Sequence, residues 1–191
     1  MNKLLLLGAL CFSPTLWADF YYNNSVSIMP TVSYESNALG HLTNVGLIWT
    51  TDAGRPQFYQ LLTNFSIYQS DDRLLPNAGF TNFDTSLRVG RFDDISVYGE
   101  LGISLDELAF DSEIAEYYDQ HGRYYRENDK VDWFVGAGAG LTLDWLQINA
   151  YGRYRYLQSL QQAYLQDPFG TLTPIPDAYQ WFAGVELVVR F

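Results

Sequence analysis

The stretch QWFAGVELVVRF, residues 180–191, alternates without a break and stops on an aromatic residue. Trp181, Ala183, Val185, Leu187, Val189 and Phe191 share one face, and Phe182, Gly184, Glu186, Val188 and Arg190 share the other. Successive side chains of a strand point to opposite sides, so the pattern predicts a strand apolar on one face and mixed-polar on the other. Left open in water, such a strand is an aggregation hazard. The hazard disappears if the apolar face meets lipid and the strand closes a barrel.

Working outward from it, seven more segments alternate with period two over about the 9–11 residues of a tilted spanning strand. They fall at residues 25–34, 42–50, 57–68, 80–92, 96–105, 132–143 and 146–156. Each puts apolar side chains on one face, such as Val26, Ile28, Val32 and Tyr34 in the first, against Ser25, Ser27, Thr31 and Ser33. The seventh reverses parity, with Leu146, Ile148, Ala150, Tyr154 and Tyr156 outward. Connections at 51–56, 93–95 and 144–145 are short, whereas those at 69–79, 106–131 and 157–177 are long. The one at 35–41 is brief but falls on the long side. The predicted fold is therefore all-β: an eight-stranded antiparallel up-and-down transmembrane barrel. Pro30 conflicts with an unbroken first strand, and a bulge or a later strand start is expected there. A soluble lipocalin-like barrel shares the alternation with its polar face outward. The near-absence of Lys, the terminal Phe and the placement of the Trp residues argue against it.

Lys3, the Leu-rich run to Phe12, Pro14 and Ala18 follow the order of a secretory signal peptide. Cleavage after Ala18 leaves a leader at 1–18 and a barrel domain at 19–191. The apolar run is too short for a transmembrane helix, and none follows. Cys11 follows Leu10 rather than a small residue, so lipidation is not expected, and no other cysteine exists. Without the leader the chain carries 10 Lys+Arg against 22 Asp+Glu, a formal charge of −12, which makes nucleic acid a poor partner.

The terminal Phe191 after such a strand resembles the C-terminal assembly signal of bacterial outer-membrane β-barrels. Over its mature length the chain is similar to the small barrel proteins of the OmpX and OmpA-transmembrane type. The resemblance implies a monomer in a Gram-negative outer membrane, inserted by the barrel assembly machinery and in contact with lipid and lipopolysaccharide. Short turns and both termini would then face the periplasm and the long loops the exterior. Trp49 and Trp145 fall at the periplasmic rim, and Trp133 and Trp181 at the outer rim, as an aromatic girdle requires. No domain is expected after the barrel.

An eight-stranded barrel is only wide enough for side chains to fill it. Asp84, Arg88, Glu100, Arg153, Arg155, Glu186 and Arg190 point inward and form the expected ionic network, since buried charges need partners. A three-residue turn at 93–95 puts Arg88 opposite Glu100. A two-residue turn at 144–145 sets Gly136, Gly138 and Gly140 opposite Arg153, Tyr151 and Asn149.

Chemistry has few candidates. His41 and Thr43, in Gly40-His41-Leu42-Thr43-Asn44, resemble the His-x-Ser-Asn element of outer-membrane lipid A deacylases. Thr replaces the nucleophilic Ser, the segment falls early in the barrel, and no carboxylate follows at a convincing distance to orient the His. His121 sits in the 106–131 loop among acids and tyrosines, read as a flexible contact surface with a helical turn near 112–118. The acids there lack calcium-loop spacing, so no metal or cofactor is expected. The 157–177 loop, with Pro168, Pro174, Pro176, Tyr164 and Phe169, reads as a semi-rigid lid or contact loop. The first reading is a scaffold presenting acidic, Tyr-rich loops. A lipid-modifying enzyme comes second and a narrow, porin-like pore third.

Overall fold

A computed structural model describes residues 25–52, 58–71, 79–105, 116–118, 124–126, 131–166 and 175–190. The leader at 1–18, His121 and Phe191 lie outside these residues. The strands are β1 (Ser25–Ser36), β2 (Gly40–Asp52), β3 (Tyr59–Ser70), β4 (Gly79–Phe92), β5 (Ile95–Ser104), β6 (Glu116–Tyr118), β7 (Tyr124–Arg126), β8 (Trp133–Leu143), β9 (Leu146–Tyr156) and β10 (Tyr179–Val189). Among the described residues one helix, α1 (Gln158–Gln166), precedes β10.

Eight strands close into an antiparallel barrel in the order β1-β10-β9-β8-β5-β4-β3-β2, each hydrogen-bonded to its neighbours. This is the up-and-down barrel that the alternation predicts. Phe92 pairs with Ser96 and Arg88 with Glu100, so the turn between β4 and β5 has the predicted length. Leu143 pairs with Leu146 across the two-residue turn, where Asp144 adopts φ 56°. A left-handed first residue is what a tight hairpin needs, and Asp tolerates it.

Three expectations need correction. Pro30 makes no bulge: it pairs with Leu47 in an unbroken register from Ser25↔Asp52 to Ser36↔His41. Pairing with β10 begins at Thr31↔Val188, immediately after it, so the proline sits where the seam-side ladder starts. A residue without an N–H fits best where one strand edge has no neighbour. The 106–131 loop contains no helical turn at 116–118; those residues form a small hairpin, β6 with β7. The 157–177 loop begins as a helix. Leu157, Leu160 and Tyr164 recur at spacings of three and four, a helical period that turns one face inward.

The interior is layered. At the short-turn end Met29, Ile48, Leu62 and Val188 pack together. At the long-loop end Leu157, Leu160 and Tyr164 pack on Leu42, Tyr68 and Phe182, so α1 lies across the mouth as a lid. Between these layers the inward residues are polar or charged, with the rings of Tyr98, Phe134 and Tyr151 set among them. The outward face is the reverse: Val32 is 51% exposed, Leu101 60% and Trp181 68%, while Arg88, Arg153 and Glu186 are fully buried.

Candidate functional site

Six of the seven predicted lumen charges meet in one buried chain, and Glu35 completes it. Arg88 donates to both oxygens of Glu186, Nη1 at 2.7 Å and Nη2 at 2.9 Å, and its Nε donates to Glu100 at 3.2 Å. Arg153 grips Glu100 through Nε and Nη2, both at 2.9 Å, and reaches Glu35 through Nη1 at 3.1 Å. Arg155 donates to Glu35 at 2.5 and 3.3 Å and to Asp84 at 3.3 Å. Charges therefore alternate Glu186–Arg88–Glu100–Arg153–Glu35–Arg155–Asp84 across the lumen. Ser86, Ser66, Asn149 and Asn44 donate to the remaining carboxylate lone pairs. Aromatic rings cover the guanidinium faces: Tyr98 lies 4.8 Å from Arg88, Tyr151 4.4 Å from Arg153 and Phe134 4.3 Å from Arg155. Bidentate, hydrogen-bonded pairing of this kind offsets the cost of burying charge.

Glu35 falls one residue beyond the predicted first strand, which stops at Tyr34, whereas β1 runs to Ser36. The signal was available, since the inward parity Thr31, Ser33 continues to Glu35. Arg190 departs from the expectation in the other direction. It is half-buried at the short-turn end and donates to Thr142 at 3.3 Å rather than entering the network.

The glycines opposite long side chains have a steric reason. A Cβ on Gly136 would lie 2.9 Å from Arg153 Cγ, and one on Gly138 would lie 2.5 Å from the Tyr98 hydroxyl. Both bulky groups cross the lumen over these bare backbone positions.

Asp132, 2% exposed just before β8, fixes the lid. Its carboxylate accepts from Gln158 N at 2.6 Å and Ser159 Oγ at 2.7 Å in the first turn of α1, and from Asn82 at 3.4 Å. Burial pushes its pKa up to about 6, partly opposed by these hydrogen bonds from Ser159, Gln158 and Asn82.

At the long-loop rim His41 points outward. Its Nδ1 lies 3.0 Å from Asp71 Oδ1, and its ring stacks on Tyr34 at 5.4 Å. A carboxylate does therefore reach His41, contrary to the sequence reading. The pairing of β2 with β3, His41↔Gln69, brings it there from thirty residues on. Thr43 lies two residues along on the same outward face, opposite Tyr34. Trp133 belongs to a ring cluster with Tyr156 and Tyr179, and Trp181 to Tyr154, all at the long-loop end. Trp49, which donates to Thr63 at 3.2 Å, and Trp145, 60% exposed, lie at the other end. Among the described residues no group of three or more His, Cys, Asp or Glu is placed to hold a metal ion.

No family model matches the chain, and no curated protein matches it. A solved structure of a de novo designed transmembrane β-barrel is similar at 10% identity and a TM-score of 0.41, covering 86% of this chain and 92% of the other.

Proposed function

We propose that this protein is an integral barrel of a Gram-negative outer membrane, a scaffold that holds acidic, Tyr-rich loops on a sealed, charge-filled cylinder. The observation that carries this reading is the inverted side-chain distribution. Large apolar residues cover the outside of all eight barrel strands, and the described arginines of the mid-barrel lie inside. An apolar belt of that extent is stable against lipid and not against water. The Trp residues at both ends support a girdle at each membrane interface, and Phe191 is read as the signal for the assembly machinery. In this reading the short turns and chain termini face the periplasm. The long loops face outward, toward lipopolysaccharide, on a monomer.

The test is expression with membrane fractionation. A heat-modifiable band in the outer-membrane fraction, silent in single-channel recording, is the expected result. Protease added to intact cells is expected to cut after Arg123 or Arg126 and leave a protected core. Soluble protein in the periplasm, or cutting at Asp144 on intact cells, would contradict the reading. Stable conductance steps would contradict the sealed lumen, since apolar layers lie above and below the ionic one.

A further inference from the structure

Beneath α1 the lumen carries buried oxygens that the ionic network leaves over. We propose that Asp84, Ser104 and Asp132, with the Gln158 side chain, hold a calcium ion that clamps α1 over the mouth of the barrel. The proposal goes beyond the scaffold reading and does not depend on the membrane.

Four observations carry it. The first is an oxygen without a partner. Ser104 is 2% exposed, and among the described residues its Oγ meets no hydrogen-bonding group. It faces inward between two buried carboxylates. The pairing of β4 with β5 sets Asp84 opposite Ser104, and on the other side Ser104 N donates to Asp132 O at 2.8 Å. Neighbouring strands lie about 4.8 Å apart, so the three side chains form one row of the inner wall. A hydroxyl left unpaired at that depth calls for a ligand.

The second is where the carboxylates reach. Asp132 Oδ2 accepts from Asn82 at 3.4 Å, and Asn82 lies two residues from Asp84 on the same inward face of β4. The Asp132 carboxylate therefore extends past Ser104 toward β4. The contacts of Asp84 with Ser66 and Arg155 both fall on Oδ2. Among the described residues no hydrogen bond occupies its Oδ1.

The third is charge. The ionic network begins and ends on a carboxylate, so it holds one negative charge more than its guanidiniums neutralise. Its Asp84 end is the weaker one, since Arg155 stands 3.3 Å from Asp84 but 2.5 Å from Glu35. Buried charge needs a counter-charge. The fourth is the lid itself. Gln158, the first residue of α1, is 6% exposed and donates its N to Asp132 at 2.6 Å. Its Oε1 has no partner among the described residues. An ion held there ties the helix to the barrel wall.

Every one of these ligands is an oxygen, which selects a hard cation. They come from β4, β5, the residue before β8 and α1. An irregular set of that kind suits the flexible shell of calcium better than the strict octahedron of magnesium, and water completes the shell. Arg155 adjoins the site from the Glu35 side, so a modest affinity is expected, with a Kd of about 10⁻⁴–10⁻³ M.

The experiment uses folded barrel in detergent at about pH 8, where a carboxylate of this kind is ionised. Folding is checked by heat-modifiability, and metal is first stripped with a chelator. Calcium chloride is titrated in by calorimetry, and amide exchange of Leu160 and Tyr164 is followed with and without the ion. One saturable site is expected, together with slower exchange at both amides in calcium. Asp84→Asn is expected to weaken binding by at least about tenfold, the lower bound seen even for residues behind the ligands of a metal. Ser104→Ala removes one neutral oxygen and no charge, and is expected to fold normally and weaken binding by a smaller factor. Asp93→Asn, at the short-turn end, is expected to bind as the parent protein does. Folded parent protein that takes up no calcium at about 10 mM, well above the expected Kd, overturns the proposal. So does binding that Asp84→Asn and Ser104→Ala both leave unchanged, which assigns the ion to acids elsewhere on the chain. Binding without slower exchange at Leu160 and Tyr164 overturns the clamp.

Discussion

Glu35 Oε1 lies 3.1 Å from Arg153 Nη1, tying the first strand to the ninth although β10 stands between them. The contact is a strut across the lumen, and Glu35 also receives Arg155. Replacing Glu35 with Gln leaves two buried guanidiniums short of charge. The expected cost is about 3–5 kcal/mol, the range for breaking a buried pair. Arg190→Gln, at the half-buried end, is expected to cost under about 1 kcal/mol. Reversible urea unfolding in lipid or detergent checks both, and equal effects would mean that the network carries no special weight.

Parity within β8 gives a second contrast. Gly138→Val is expected to destabilise the barrel by about 1–3 kcal/mol through overpacking against Tyr98 and Tyr151. Ala139→Val, one residue on and exposed outward, is expected to be tolerated. The same unfolding measurement decides it.

The legibility of this chain follows from what sets each feature. Strand parity and tight-turn length are local, and together they fix which residues oppose one another. Arg88↔Glu100 and Gly136↔Arg153 could therefore be placed by counting. Contacts across the lumen depend on barrel closure, which no local pattern encodes. The pairing of Arg88 with Glu186 and of Arg153 with Glu35 was out of reach for that reason. Asp71 lies just past β3, and its amide donates to the Leu39 carbonyl, a contact far apart in sequence that no local pattern encodes. The lid helix was legible in its Leu157, Leu160, Tyr164 spacing, but the prolines after it drew the reading toward loop.

Asp132 gives a pH dependence. Its pKa is about 6 when buried beneath α1, above the ordinary 3.8, so the closed lid binds a proton more tightly than an open one. Stability from this group is fully present below about pH 4 and is lost as pH rises through about 6. The total is about 3 kcal/mol at 1.36 kcal/mol per unit. Amide protection of Leu160 and Tyr164, corrected for intrinsic exchange, is expected to fall between pH 4.5 and 7.5. Asp132→Asn is expected to flatten that slope, and an unchanged slope would assign the dependence elsewhere.

The central claim is that the outward face of the barrel meets lipid. Single spin labels along β2, at positions 44 to 49, test it by comparing collision with oxygen and with a water-soluble nickel complex in reconstituted vesicles. Outward positions Val45, Leu47 and Trp49 are expected to favour oxygen, alternating with low accessibility to both reagents at Asn44, Gly46 and Ile48. High nickel accessibility at Val45 and Leu47 in folded, vesicle-associated protein would contradict the account.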